Sequence, residues 1–313
     1  MKKILISLLV LTAFTGITFA NGGKDTDATG DKPLRIAFVS PFIGHPYWVT
    51  VTEGVADASK EFNVDFTETG PIGEVNIDTQ ISAIETAIAS KVDGILTMAL
   101  NPEAFTPVIN RAEAAGIPVV LIDTDAPKSK RHAYAGTSNF EAGYSAGKAL
   151  IEATGGSGKV GIITGAIDAA NLNQRIDGFK KAIGEGSSLE VIDIQDSNSD
   201  ILIQTEKAQS MLQANPDLTA FFGTDATSAI AAAKIVDEKG LADKISIVGF
   251  DDMAETLDYI RKGIIDATTV QRNYMMGYMG IEILKDINEG NLPSEQINDT
   301  GVVIVTSDNV DSY

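Results

Sequence analysis

From Leu34 onward, short apolar runs alternate with longer amphipathic stretches, and few architectures accept that pattern. Runs at 35–39, 63–67, 93–99 and 117–122 read as strands, with helices near 46–60, 76–90 and 102–115 between them. A strand that is apolar at every position has both faces covered, so the alternation predicts an α/β fold built on a parallel, doubly wound sheet. A short strand at 133–137 leads into a helix from Asn139, and the rhythm then restarts. Strands near 159–164, 189–194, 219–222 and 245–250 alternate with helices near 172–184, 201–214, 226–239 and 253–262. Two sets of similar size imply two lobes, each with its own sheet, divided near Gly136 to Ser138. No long Pro/Gly/Ser linker separates them, so the connections are short and hinge-like. The tail, with a strand at 265–270, a helix at 273–288 and a strand at 300–305, is assigned to neither lobe by periodicity.

The first twenty residues do not belong to this rhythm. Lys2 and Lys3 precede an apolar stretch from Ile4 to Phe19, closed by the small residues a signal peptidase accepts at Thr18 to Ala20. The stretch is shorter than a membrane span and runs into Gly22, Gly23 and acidic residues, so it reads as an export signal cleaved near Ala20. Residues 21–33 then form a flexible lead-in. The absence of cysteine suits an oxidising compartment and excludes a lipid-modified N-terminal cysteine, which together predict a periplasmic protein without a lipid anchor. A formal charge of -19 argues against nucleic acid and anionic lipid surfaces as partners.

In open α/β sheets, ligands bind outside the carboxyl ends of the strands, so the residues there are the candidates. The first strand breaks at Ser40-Pro41; Gly44 and Pro46 fix the loop, His45 offers a ring nitrogen, and Tyr47 and Trp48, the only tryptophan, bring aromatic faces. Asp123 ends VVLID, Thr224 and Asp225 follow Phe221-Phe222-Gly223, Asp251 ends IVGFD and Gln271 ends DATTVQ. Arg175 opens the helix after KVGIITG. Carboxylates accept, the guanidinium donates, and amide, hydroxyl and imidazole do both. That mixture beside an aromatic ring matches a sugar, with its hydroxyl edge and its C–H face. The plainer alternative is that Asp123, Asp225 and Asp251 cap helices and that the two aromatics are packing anchors.

Three motifs are decoys. Gly143-Tyr144-Ser145-Ala146-Gly147 has the spacing of a nucleophile elbow but places Ser145 inside a helix. Gly155 to Lys159 precedes a strand where a phosphate loop must follow one. Asp196, Asn198 and Asp200 have calcium-loop spacing, yet Ile201 stands where glycine is needed and Lys207 where a bidentate glutamate is needed, so a cap and turn is expected and no metal. No nucleophile-base pair is visible, and the chain is expected not to be an enzyme and to need no cofactor.

From about Leu34 to Thr306 the chain resembles the periplasmic sugar-binding proteins of ABC importers, in the ribose-binding group that shares its core with lactose-repressor-type regulators. AFVSPFIGHPYW, GIPVVLIDTDAP, YAGTSNFEAG, NLNQRIDGFK, ISIVGFDDM and DATTVQ carry the resemblance by their order and spacing. It implies a type I periplasmic binding protein whose chain crosses three times between its lobes, near Thr137, near Gln271 and near 293–297. The N-terminal lobe would then comprise 34–137 plus 272–295, and the C-terminal lobe 138–271 plus 296–313. By resemblance His45, Tyr47 and Trp48 surround the sugar ring, Asp123 takes paired hydroxyls, and Arg175, Asp251 and Gln271 complete the site. Thr224 stands where an Asn is usual, and Asn173 supplies a further contact.

Ribose-binding members follow the first-lobe Asp with an Arg, where this chain has Thr124, and the second-lobe phenylalanine near Ser199 is missing. Both departures argue against ribose itself, and His45 and Thr124 make a hexose, a sugar alcohol or a cyclitol at least as plausible as a pentose. The implied role is a monomeric receptor that closes on a monosaccharide or polyol and delivers it to an ABC import permease. A sensory protein that shows its closed form to a chemoreceptor or membrane sensor kinase would have the same sequence. A repressor would carry a basic headpiece where this chain carries an export signal.

Overall fold

The apolar runs become strands in the computed structural model, which describes residues 32–72, 76–165 and 169–313. The expected export signal and most of the lead-in lie outside the described residues. The first series is β1 (Leu34–Val39), α1 (Pro46–Glu61), β2 (Val64–Thr69), α2 (Ile77–Ala89), β3 (Gly94–Thr97), α3 (Pro102–Ala114), β4 (Val119–Ile122) and β5 (Ala133–Gly136). Each of β3, β4 and β5 is buried along its whole length, whereas β2 alternates between half-buried and exposed, as an edge strand should. The second series is α4 (Asn139–Thr154), β6 (Ser157–Thr164), α5 (Ala170–Gly186), β7 (Ser188–Asp196), α6 (Ile201–Ala214), β8 (Ala220–Gly223), α7 (Ser228–Glu238), β9 (Ser246–Phe250), α8 (Ala254–Arg261) and β10 (Ala267–Gln271). The chain ends with α9 (Asn273–Asn288), β11 (Ile297–Asp299) and β12 (Val302–Thr306).

Two six-stranded sheets result, in the orders β11-β5-β4-β3-β1-β2 and β12-β10-β9-β8-β6-β7. Both contain the doubly wound arrangement in which the first strand pairs with the second and the third, so each has its strand-order reversal at its first strand. Each sheet is covered on both faces. In the first lobe α1 and α9 enclose Trp48, Val51, Val55 and Met276 on one side, and α2 and α3 enclose Ile84, Phe105 and Ile109 on the other. In the second, α4 and α5 cover one face, where Phe179 stacks on Phe222 at 4.2 Å, and α6, α7 and α8 cover the other.

The tail corrects one boundary. β11 pairs in parallel with β5, Ile297 opposite Tyr134 and Asp299 opposite Gly136, so residues 297–299 belong to the first sheet. The third crossing therefore falls at Thr300 and Gly301, and not at 293–297. Arg131 explains the difference: 7% exposed, it pairs with Asp125 and donates to the Gln296 carbonyl at 3.3 Å, pinning the approach to β11 against the first lobe. β12 then runs antiparallel to β10 in the second sheet.

The decoys resolve into ordinary structure. Ser145 lies inside α4, Gly155 ends that helix in the left-handed conformation at φ 65°, and Asp200 caps α6 by accepting from the Leu202 and Ile203 amides.

Candidate ligand-binding site

The loop after β1 delivers α1 with its first turn aimed at the strand ends. His45 caps that helix, its Nδ1 accepting from the Tyr47 N–H at 3.3 Å, and is itself exposed. Tyr47, half-buried in the first turn, donates its hydroxyl to Asp123 Oδ1 at 2.7 Å. Trp48 turns the other way, is 8% exposed, and joins the core with Tyr47 edge-on to it at 5.2 Å. The indole is packed in the first-lobe core beside the Tyr47 ring.

Asp123 follows β4 with φ +57°, a conformation open to few non-glycine residues. Its carbonyl accepts the Tyr134 hydroxyl at 2.7 Å, and its second carboxylate oxygen accepts the Thr124 hydroxyl at 2.8 Å. Asp251 repeats this arrangement in the other lobe. It follows β9, which holds the same place in the second sheet as β4 in the first; its φ is +64°, and its carbonyl accepts the Thr268 hydroxyl at 2.8 Å. Gln271 at the end of β10 donates its Nε2 to Asp251 Oδ1 at 3.0 Å.

Arg175 is 4% exposed and lies over the Phe250 ring at 4.1 Å. Its Nε donates to Asn139 Oδ1 and its Nη1 to the Thr224 carbonyl, both at 2.9 Å. Thr224 thus holds Arg175 through its backbone, while its side-chain hydroxyl donates to the Thr164 hydroxyl at 2.8 Å. Asn173 is half-buried in the first turn of the same helix. Asp225 is a cap: it accepts from the Thr227 and Ser228 amides at the start of α7 and from Gln204 at 3.1 Å.

The two sets of groups share one electrostatic field. Burial raises the Tyr47 phenol well above its ordinary pKa, Asp123 and Asp251 push it further, and Arg175 opposes them. A first-lobe phenol therefore responds to charges on the second lobe. Burial likewise raises Asp251 above the usual carboxylate range, against the pull of Arg175 and Gln271. The arrangement offers fixed carboxylate acceptors, a clamped guanidinium and a phenol that stays neutral.

Asn139, Tyr134 and Asn273 were not legible as site residues. Asn139, 7% exposed at the first position of α4, accepts from Arg175 Nε. Tyr134 reads as one residue of a buried strand. Asn273, two residues past Gln271 on the second crossing, donates to the Tyr47 carbonyl at 3.4 Å. The only sequence signal was position, each lying within two residues of a crossing or a strand end.

A family model described as a periplasmic binding protein domain matches residues 36–292. The D-ribose/D-allose-binding protein of Pseudomonas aeruginosa is 27% identical over 97% of each chain. Among solved structures, GanP, a glucose-galactose binding protein from Geobacillus stearothermophilus, is 38% identical with a TM-score of 0.81, covering 88% of this chain and 98% of its own. A XylFII-LytSN complex supplies a chain 32% identical with a TM-score of 0.75, covering 88% of this chain and 98% of its own.

Proposed function

The chain belongs to the periplasmic binding protein family, in its ribose-binding-like sugar-binding group, and from that membership we propose that it binds a monosaccharide or related polyol between its two lobes, closes on it and presents it to an ABC import permease. The observation that carries this reading is the convergence of Tyr47 and Asp123 from one sheet with Arg175, Asp251 and Gln271 from the other. A ligand that touches both sets gains contacts available only when the lobes are close, so it shifts an open–closed balance by its differential affinity.

Asp123 and Asp251 accept sugar hydroxyls, Arg175 and Gln271 donate to them, and Tyr47 offers its ring and its oxygen. Asn173 lies beside Arg175 as a further contact; His45, Trp48 and Thr224 act by positioning. The protein binds without turnover, acts as a monomer, and is exported with cleavage near Ala20. Thr124 in place of a cation leaves the first-lobe carboxylate with neutral donors, which suits a hexose or polyol.

A second reading is that the closed form is shown to a membrane sensor, and the similarity to XylFII in its complex with LytSN favours it. Isothermal titration of the purified protein with D-glucose, D-galactose, D-ribose, D-allose, D-xylose, D-arabinose, sorbitol and myo-inositol, with thermal stability measured alongside, tests the receptor reading. Saturable binding of one member with a matching thermal shift is expected, and its recovery unchanged excludes turnover. Silence across the panel would overturn the sugar-receptor reading. Capture of the sugar-loaded protein by a permease supports transport, and capture by a sensor ectodomain alone supports sensing.

A further inference from the structure

Three short segments join the lobes, and a single side-chain oxygen ties two of them together. Asp299 Oδ1 accepts the Gly301 N–H at 2.9 Å within the third crossing and the Ser138 N–H at 2.9 Å in the first. The Thr300 N–H adds a bond to the Gly136 carbonyl at 3.0 Å, and Gly301 turns at φ +69°, where glycine is favoured.

The first crossing is in turn bonded to the ligand-facing groups of both lobes. The Thr137 carbonyl accepts Asn139 Nδ2 at 3.3 Å, and Asn139 Oδ1 holds Arg175. The same carbonyl lies 3.5 Å from the Tyr134 hydroxyl, which supports the backbone of Asp123. Anything that moves Arg175 or Asp123 therefore pulls on the crossing that Asp299 grips.

We propose that Asp299 is a hinge-positioning residue: by clamping the first crossing to the third it sets the separation of the lobes in the unliganded protein, and through Asn139 and Tyr134 that setting is coupled to occupation of the site. The proposal rests on the reading of a receptor that closes on its ligand. Hydrogen bonds weaken steeply as their distance and angle depart from the optimum, so one oxygen serving two amides on different crossings favours one relative rotation of the two. Asp299 is exposed, so water can replace either bond at small net cost, which makes the clamp a switch that yields and not a lock.

The chain has no cysteine, so the pair Ile72→Cys and Leu202→Cys, at positions 79% and 71% exposed, takes spin labels cleanly. Ile72 follows β2 and Leu202 follows β7, the edge strands remote from the crossings, where rotation produces the largest displacement. Pulsed electron-spin distance measurements on the full labelled chain then compare wild-type Asp299 with Asp299→Ala and Asp299→Asn, each unliganded and with the panel sugar that binds tightest. Asp299→Ala is expected to shift or broaden the unliganded distance distribution and to change affinity at least threefold. Asp299→Asn, which keeps an acceptor oxygen, should restore both. If Asp299→Ala lowers the melting temperature but leaves the unliganded distances and the affinity at wild-type values, its role is structural and the proposal falls. If no panel sugar moves the wild-type distance, the closing-receptor reading fails, while the unliganded comparison still decides the clamp.

Discussion

Asp251 sits where burial and function pull in opposite directions. Its folded pKa is raised above the ordinary value, so the folded state favours the protonated form; the corresponding stability is present at low pH and lost as pH rises through the raised pKa. At neutral pH the unfolded chain ionises this carboxyl freely while the fold resists its charge, so the group is a burden on the unliganded protein. Asp251→Asn should raise the melting temperature of the unliganded protein at pH 7, by about 2–4 °C for each kcal/mol recovered, and the gain should vanish as pH falls below the ordinary carboxylate range. The same change should weaken sugar binding roughly 10- to 100-fold, as expected for losing a charge-assisted hydrogen bond of about 1.5–3 kcal/mol. Thermal scans across pH and titration calorimetry read the two effects separately. Arg175→Lys makes a complementary case. The guanidinium is held by its stack on Phe250 and by two donors pointing at different acceptors, a fork an ammonium cannot reproduce. Affinity should fall by about tenfold or more while the charge is unchanged. Asp123 and Asp251 could be picked out from the sequence because a strand end faces ligand in this class of sheet. Asn139 could not, since nothing in its neighbours says that Arg175 will come to rest against it.

At the scale of elements, the helices that carry site residues depend on glycines at their contacts. A Cβ at Gly143 of α4 would lie 2.0 Å from the Arg175 carbonyl oxygen, and one at Gly178 of α5 would lie 1.9 Å from the Phe140 carbonyl oxygen. The glycines that mimic a nucleophile elbow are thus a close-packing surface between α4 and α5, at the turn that presents the guanidinium. Gly143→Ala should cost about 1–3 kcal/mol or more in urea unfolding, since the obstacle is backbone and cannot rotate aside, and should also weaken sugar binding by displacing Arg175. Loss of stability without loss of affinity would show that α5 accommodates the methyl elsewhere. Most elements were legible because their period or their uninterrupted apolar character is an energetic necessity for burial. β11 was not, because Ile-Asn-Asp is too short and too polar to carry a period. Its place is set from outside, by the Arg131 contact with Gln296 and by pairing with β5.

At the scale of the molecule, the two sheets each have a core on both faces and are joined by three short crossings, so each lobe buries its own apolar surface. Such halves are expected to melt with limited cooperativity unless something ties them together. A sugar bound to Asp123 on one side and to Arg175 and Asp251 on the other supplies that tie, because unfolding either lobe destroys the site. Ligand at a hundredfold its Kd contributes about 2.7 kcal/mol, which for a chain of this size raises the melting temperature by roughly 5 °C. The consequence for scanning calorimetry is a change of shape as well as position. The unliganded protein should show a transition broader than its calorimetric enthalpy predicts, with a van't Hoff enthalpy below the measured one. Saturating sugar should bring the two together into a single sharper peak. Asp251→Asn, which keeps the fold but loosens the second lobe's hold on the ligand, should leave the transition broad at the same sugar concentration. A wild-type peak that rises in temperature yet stays broad would mean that the ligand is held by one lobe alone.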